Sequence, residues 1–270
     1  MQDESDASKG TEQLSLHRPV DMPIAGCRFR LRSLMITVVV ICVALALLVP
    51  PLRHARRQSQ QTQCRNNLSY IGVALHCYYD LNKKFPWAIT YAADGTPMHS
   101  WRVRIMPFIE VPWGPYDFRE PWNGPHNRDL TDEVPETYSD KEGTHFDPLI
   151  PPVYRCPSAP RSQNQMCTNY VMLIDDRPGK PNGPPNRPGS VPASFDDKSA
   201  VIIIEIADSD IHWMEPRDVL LSELSMKIND RSKRSLSSHH GGACVVHADA
   251  TVEILDEATT EERVRELLAQ

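Results

Sequence analysis

The chain has 270 residues, a hydrophobic fraction of 40%, a charged fraction of 24% and a formal net charge of −6. Length and composition allow one sizeable domain with extensions, and they exclude a wholly disordered chain. The acidic balance lacks the broad basic field of a nucleic-acid-binding protein, so nucleic acid is not an expected partner.

In chain order, residues 1–28 form a short polar tail without a hydrophobic pattern, expected to be disordered and to stay in the cytoplasm. From Leu34 to Val49 sixteen residues carry no charge (LMITVVVICVALALLV). A helix of that length covers about 24 Å. Phe29 and Leu31 on one side and Pro50, Pro51 and Leu52 on the other lengthen it toward the roughly 30 Å of a hydrocarbon core. A soluble helix would show a polar face, and this run has none. The expectation is a transmembrane helix over 29–52. Its only A-x-A tripeptide, Ala44-Leu45-Ala46, lies inside the apolar run, and bulky Ile41 precedes Cys42. Neither suits signal or lipoprotein cleavage, so an uncleaved anchor is the reading. Arg18, Arg28, Arg30 and Arg32 before the run balance Arg53, Arg56, Arg57 and Arg65 after it, so charge does not fix the orientation. The short tail favours an inside N-terminus, with the larger part in the periplasm or outside.

A soluble domain is expected over 53–256. Leu68, Ile71, Leu75 and Tyr78 recur at helical spacing, with Ala74 and Tyr79 beside them. They predict an amphipathic helix over 53–82 that continues the anchor and lies on a core. Pro50 and Pro51 predict a kink between the two halves. Beyond Pro86 the segments shorten. His99 to Glu110 suits a short helix or strand, and Glu120 to Leu130 a turn followed by a short helix. VYRCP and Thr168 to Ile174 read as strands. Asp175 to Pro192, with six prolines and three glycines, reads as an exposed loop. Val201 to Ile204 is the strongest strand, β-branched and continuous. GACVVHADATVEIL reads as strand, turn, strand. Thr259 with Glu262 forms a capping box that opens a short helix within 257–270. Helix first and sheet after predict an α+β fold.

The histidines at the end are the candidate site. His239 and His240 are neighbours, so on a strand they face opposite sides. His247 and Asp249 share one face if the strand continues. A metal centre needs three or four converging groups. His239, His247 and Asp249 are the candidates, with Glu205, His212 and Glu215 able to contribute only through tertiary contacts. The plainer reading is a hairpin in which Asp249 accepts backbone N–H bonds. Near Trp213, the charged Glu215, Arg217 and Asp218 read as a ligand site or, more simply, as ion pairing over a buried aromatic. No G-x-S-x-G elbow or other assembled catalytic set occurs, so neither catalytic nor cofactor-binding residues are assigned and no enzyme is expected.

TQCRNNLSYIGVALHCYYDLNKKFP, following an apolar N-terminal helix, resembles a large bacterial, planctomycete-type family of prepilin-like proteins, domain of unknown function 1559. SWRVRIMPFIE, EPWNGPHNR, YRCPS, TNYV and IADSDIHWMEPRDV agree with it. His239, nine residues, then Asp249 matches the family's C-terminal H-x9-D-G signature, with Ala250 in place of glycine. The resemblance implies a pilin- or pseudopilin-like build: a long N-terminal helix, its first half in the membrane and its second half on an antiparallel sheet. It also implies structural roles for His239, Asp249, Trp213, Glu215, Arg217, Cys64 and Cys156. Lipid, other pilin-like subunits and secretion-system components are the partners it suggests, at the inner membrane of the cell envelope. Arg28 stands where prepilins carry glycine and Ser33 where they carry the fifth-position glutamate, which favours a plain anchor over a processed filament subunit. Ala250, with its Cβ, disfavours a positive φ after Asp249. For a domain outside the cytoplasm, a disulfide between two of Cys64, Cys77, Cys156 and Cys167 is open, with the pairing not chosen. The alternative function is a membrane-tethered ligand- or metal-binding module built on His239, His247 and Asp249.

Overall fold

A computed structural model describes residues 31–109, 116–132, 150–160, 164, 166–177 and 198–269. The expected tail over 1–28, the start of the anchor and most of the proline-rich loop lie outside the described residues. The chain divides into two compact units at Pro50/Pro51, two residues before the boundary expected from sequence.

Helix α1 spans Leu31–Asn82, 52 residues. It runs without interruption through Pro50 and Pro51, although each proline removes an intrahelical N–H bond. In the first unit its apolar side chains from Leu34 to Leu48 are all exposed. In the second unit α1 behaves differently. Cys64, Leu68, Ile71, Ala74 and Leu75 form a fully buried stripe, following the 3.6-residue period that the sequence predicts.

That stripe packs on a five-stranded sheet of order β5-β3-β4-β6-β7. The strands are β3 (Tyr170–Ile174), β4 (Val201–Glu205), β5 (Val219–Leu220), β6 (Ala243–His247) and β7 (Val252–Leu255). All neighbours are antiparallel except β3 and β5, which run parallel. The expected antiparallel sheet is thus mixed at one edge. Strand alternation divides the core in two. Tyr170, Met172, Ile203, Cys244 and Val246 share a hydrophobic cluster with α1. Val171, Ile204, Ala243 and Val245 join Val264, Leu267 and Leu268 of α4 (Glu261–Ala269) in a second cluster. By the same two-residue period, Glu205 falls on the α1 side beside Ile203.

A small hairpin precedes the sheet: β1 (Ile89–Tyr91) pairs with β2 (Pro97–Ser100). It leads into α2 (Trp101–Ile105), capped by Ser100. A further helix, α3, spans Pro125–Asp132. The structure departs from the sequence expectation at two further places. Residues Pro152–Tyr154 form a 3-10 turn and not a strand, because two prolines there deny ladder hydrogen bonds. The hydroxyl that caps α4 is that of Thr260, which accepts from Arg263 N–H at 3.2 Å, while Thr259 Oγ1 donates to Asp256. The capping frame is shifted by one residue.

The β6–β7 turn is held against α1. His76 Nε2 lies 2.9 Å from the Ala248 carbonyl oxygen. Ala250 has φ +65°, contrary to the expectation that its Cβ would keep φ negative. Asp249 supplies the reason, because its Oδ1 accepts from Thr251 N–H at 2.9 Å and closes the turn. Gly72 of α1 meets this turn so closely that a Cβ there would stand 2.9 Å from Ala250 Cβ. The Gly72→Ala substitution therefore costs about 1–2 kcal/mol, overpacking outweighing the better helix propensity. Ala250→Gly stabilises by up to about 1 kcal/mol, relief of left-handed strain exceeding the added unfolded-state entropy. In the Ala250→Gly background the Gly72→Ala penalty falls. Guanidinium unfolding of the full chain in detergent, followed by tryptophan fluorescence, checks all three.

Candidate functional site

The histidine-rich turn divides its two adjacent rings. Gly241 and Gly242 both have positive φ, and a Cβ on Gly242 would meet the Leu255 carbonyl oxygen at 2.1 Å. Only glycine allows the chain to approach β7 so closely and then enter β6. His239 is left outside, 3.4 Å from Asp208. His240 turns inward and its side chain is fully buried.

The inward ring sits in a built environment. His240 Nδ1 lies 3.0 Å from both Ser238 Oγ and the Gly241 carbonyl oxygen. Ser238 Oγ donates its own hydrogen to the Gly242 carbonyl. Both neighbours of Nδ1 therefore act as acceptors, and Nδ1 carries the hydrogen. Nε2 then faces Glu205 Oε1 at 3.3 Å, and neither atom has a hydrogen-bond partner. Burial pulls the His240 pKa down, but the adjacent Glu205 carboxylate and the Gly241 carbonyl outweigh it and the net shift is upward. Glu205 Oε2 accepts from Cys244 N–H at 3.1 Å. Burial, then Glu205, pushes the Cys244 thiol well up, so it stays protonated.

Against this pair stands the Cys64–Cys156 disulfide, with Cα atoms 5.5 Å apart. It joins α1 to the loop after the 3-10 turn. Asn169 fixes that loop: its Oδ1 accepts from Cys156 N–H at 2.9 Å, and its Nδ2 donates to the Ile206 and Ala207 carbonyls. One ligand-type atom each from Cys64, Cys156, Glu205 and His240 lies within 4.8 Å of the others.

The structure does not bring His239, His247 and Asp249 together. His239 precedes β6 and His247 ends it. His247 Nδ1 lies 2.7 Å from the Ser199 carbonyl oxygen and Nε2 3.2 Å from Glu253 Oε2. Asp249 is occupied by Thr251, whose hydroxyl lowers the carboxyl pKa most. Glu205 does enter a cluster, but with His240. The signal the sequence held was the acidic residue at a core-facing position of a β-branched strand.

A second polar assembly lies around Trp213, which is buried and stacks on Tyr154 at 6.1 Å. Glu215 and Arg217 pair with each other at 2.7 Å near the surface, as the ion-pair reading expects. Asp218 does not join them. It pairs at 2.6 Å with Arg102 of α2, both side chains fully buried. Asp218 Oδ1 also accepts from Trp101 Nε1 and Met172 N–H. Burial pushes its carboxyl up to about 6 against the opposing pull of Arg102. Nothing in the sequence of either segment identified this partner.

His212, stacked beside Trp213, accepts from Met214 N–H through Nδ1 at 3.2 Å. Burial lowers its pKa from 6.5 to about 4. The unfolded chain then binds this proton first as pH falls. The contribution of neutral His212 is complete above about pH 6.5 and is lost progressively down to pH 4. The stability difference between wild type and His212→Gln shrinks by about 3 kcal/mol from pH 7 to pH 4. Denaturant unfolding at both pH values measures it.

In comparison with known families, residues 53–220 match the family described as "Protein of unknown function (DUF1559)". The match spans more than half of the chain, and the protein belongs to that family. Helix α1, which begins ahead of the matched segment and runs into it, is long and apolar enough to cross a membrane. No curated protein and no solved structure gives a match.

Proposed function

We propose that this protein is a single-pass, pilin- or pseudopilin-like structural protein of the cell envelope. α1 anchors it in the cytoplasmic membrane, the N-terminus is cytoplasmic, and the folded domain lies on the outer side. The carrying observation is α1 itself. Its first part exposes apolar side chains all round, which water does not favour, and its later part is the buried spine of a sheet domain. The Cys64–Cys156 bond supports the outer placement, since disulfides persist in oxidising compartments. The reading is structural and assigns no catalytic role. Lipid and neighbouring pilin-like subunits are its partners.

Two measurements test it. A C-terminal alkaline phosphatase fusion is expected to be active and a C-terminal green fluorescent protein fusion dark; the reverse overturns the placement. Cys42 is an exposed thiol within the apolar segment. Mild oxidation of native membranes is expected to give dimers that disappear with Cys42→Ser. Monomers alone overturn the subunit role.

A further inference from the structure

We propose that, when Cys64 and Cys156 are thiols, these two residues, His240 and Glu205 form a closed site for one thiophilic divalent cation, with zinc the best match. The inference goes beyond the envelope reading and does not depend on it.

Four donors of the right chemistry already converge, one atom from each residue within 4.8 Å of the others. Two thiolates, an imidazole and a carboxylate make a tetrahedral zinc set. The two non-sulfur donors face each other at 3.3 Å. His240 Nε2 and Glu205 Oε1 are buried without hydrogen bonds, an arrangement that ordinarily destabilises a fold. Nδ1 is the donor to the Gly241 carbonyl, so Nε2 is the ring atom turned to Glu205 Oε1, 3.3 Å away. A cation between these two atoms bonds to both. The supporting contacts are those of a ligating histidine and carboxylate: Nδ1–H on the Gly241 carbonyl, and Glu205 Oε2 on Cys244 N–H. Cys244 lies alongside, outside the four-atom group.

Disulfide and cation are alternative occupants. A dithiol reductant delivers two electrons and two protons to the Cys64–Cys156 bond and leaves as its own disulfide. The cation then binds both sulfurs and releases the two thiol protons to solvent. His240 binds as the neutral ring and Glu205 as the carboxylate. The bound site carries one net negative charge, and Arg65 of α1 is near enough to act on Cys244 at its edge.

The test uses the full chain in detergent, with cobalt(II) and zinc(II) as probes. After phosphine reduction the wild type is expected to take up one cobalt per chain, with a thiolate-to-cobalt charge-transfer band and the visible bands of tetrahedral cobalt. Zinc displaces it. The oxidised protein shows no such bands. His240→Gln and Glu205→Gln each weaken zinc binding by about tenfold or more, and His239→Gln leaves it unchanged. Near-ultraviolet circular dichroism of buried Trp101 and Trp213 reports folding. A reduced chain that refolds only with zinc supports the site. The site is overturned if the reduced chain shows no thiolate–cobalt band, or stays unfolded with zinc. It is also overturned if folded His240→Gln and Glu205→Gln bind as wild type. Should those variants unfold, the oxidised-versus-reduced comparison on wild type decides alone. Phosphatase activity and Cys42 crosslinking are read on the oxidised chain, so failure here and failure of the envelope reading are separate results.

Discussion

Asp218→Ala will destabilise the folded domain by about 3–5 kcal/mol, the cost of leaving a buried charge without its partner. The stranded group is Arg102. Its guanidinium donates from Nε to the Tyr170 carbonyl, from Nη1 to Ser100 Oγ and from Nη2 to Asp218. An arginine cannot relieve the loss by giving up its proton, and water does not reach it because its side chain is fully buried. Replacing both residues with apolar ones of similar size, Arg102→Met with Asp218→Leu, recovers part of this loss, since exchanging a whole buried pair is often close to neutral. Recovery stays incomplete. Met172 N–H and Trp101 Nε1 both use Asp218 Oδ1, and each buried donor left open costs about 1–3 kcal/mol. Guanidinium unfolding of the full chain in detergent, followed by Trp101 and Trp213 fluorescence, reads the effect. A single-variant loss below about 1 kcal/mol would show that the pair is solvated, as surface pairs are.

The pair also shows where sequence reading stops. Short-range periodicity made the helix stripe at Leu68, Ile71 and Leu75 legible, and β-branched continuity did the same for β4. The hairpin of β6 and β7 was legible from its alternation and its Asp249 turn. Arg102 and Asp218 are 116 residues apart, and no local pattern distinguishes them from a solvated charge pair. The same limit applies to the cysteines, where pairing depends on where a loop folds back. β1 and β2 went unseen because three- and four-residue strands carry too few side chains for a two-residue period. At the histidines, strand alternation said that one ring would face inward, but not which. The close approach of Gly242 to β7 settles that, and it belongs to tertiary structure. Ala250 errs in the other direction. Side-chain preference argued against its left-handed backbone, while Asp249, Thr251 and the α1 contact together hold it there.

Breaking the Cys64–Cys156 bond is the other large expected effect, about 4–5 kcal/mol by loop-closure entropy for partners separated by 92 residues in sequence. Its position makes the effect more than entropic. Along α1 from the N-terminal side, Cys64 is the first fully buried side chain among the described residues. Before it, Gln60 Nε2 donates to the Pro157 carbonyl at 3.5 Å. Beyond it Asn67 reaches the Arg155 carbonyl, and the apolar stripe begins. The bond thus sits where separation of helix from sheet would start, and it converts a frayable end into a covalent one. Cys64→Ser and Cys156→Ser are each expected to cost nearly the full amount and the double variant little more, because either change removes the same crosslink. In a chelator, to keep metal from substituting for the bond, amide exchange in residues 60–75 should accelerate in all three variants. Reduction of the denatured wild type should add two titratable thiols. Equal exchange in wild type and variants would mean that packing of Leu68, Ile71 and Leu75 alone holds the spine. The bond would then contribute nothing to keeping α1 on its sheet.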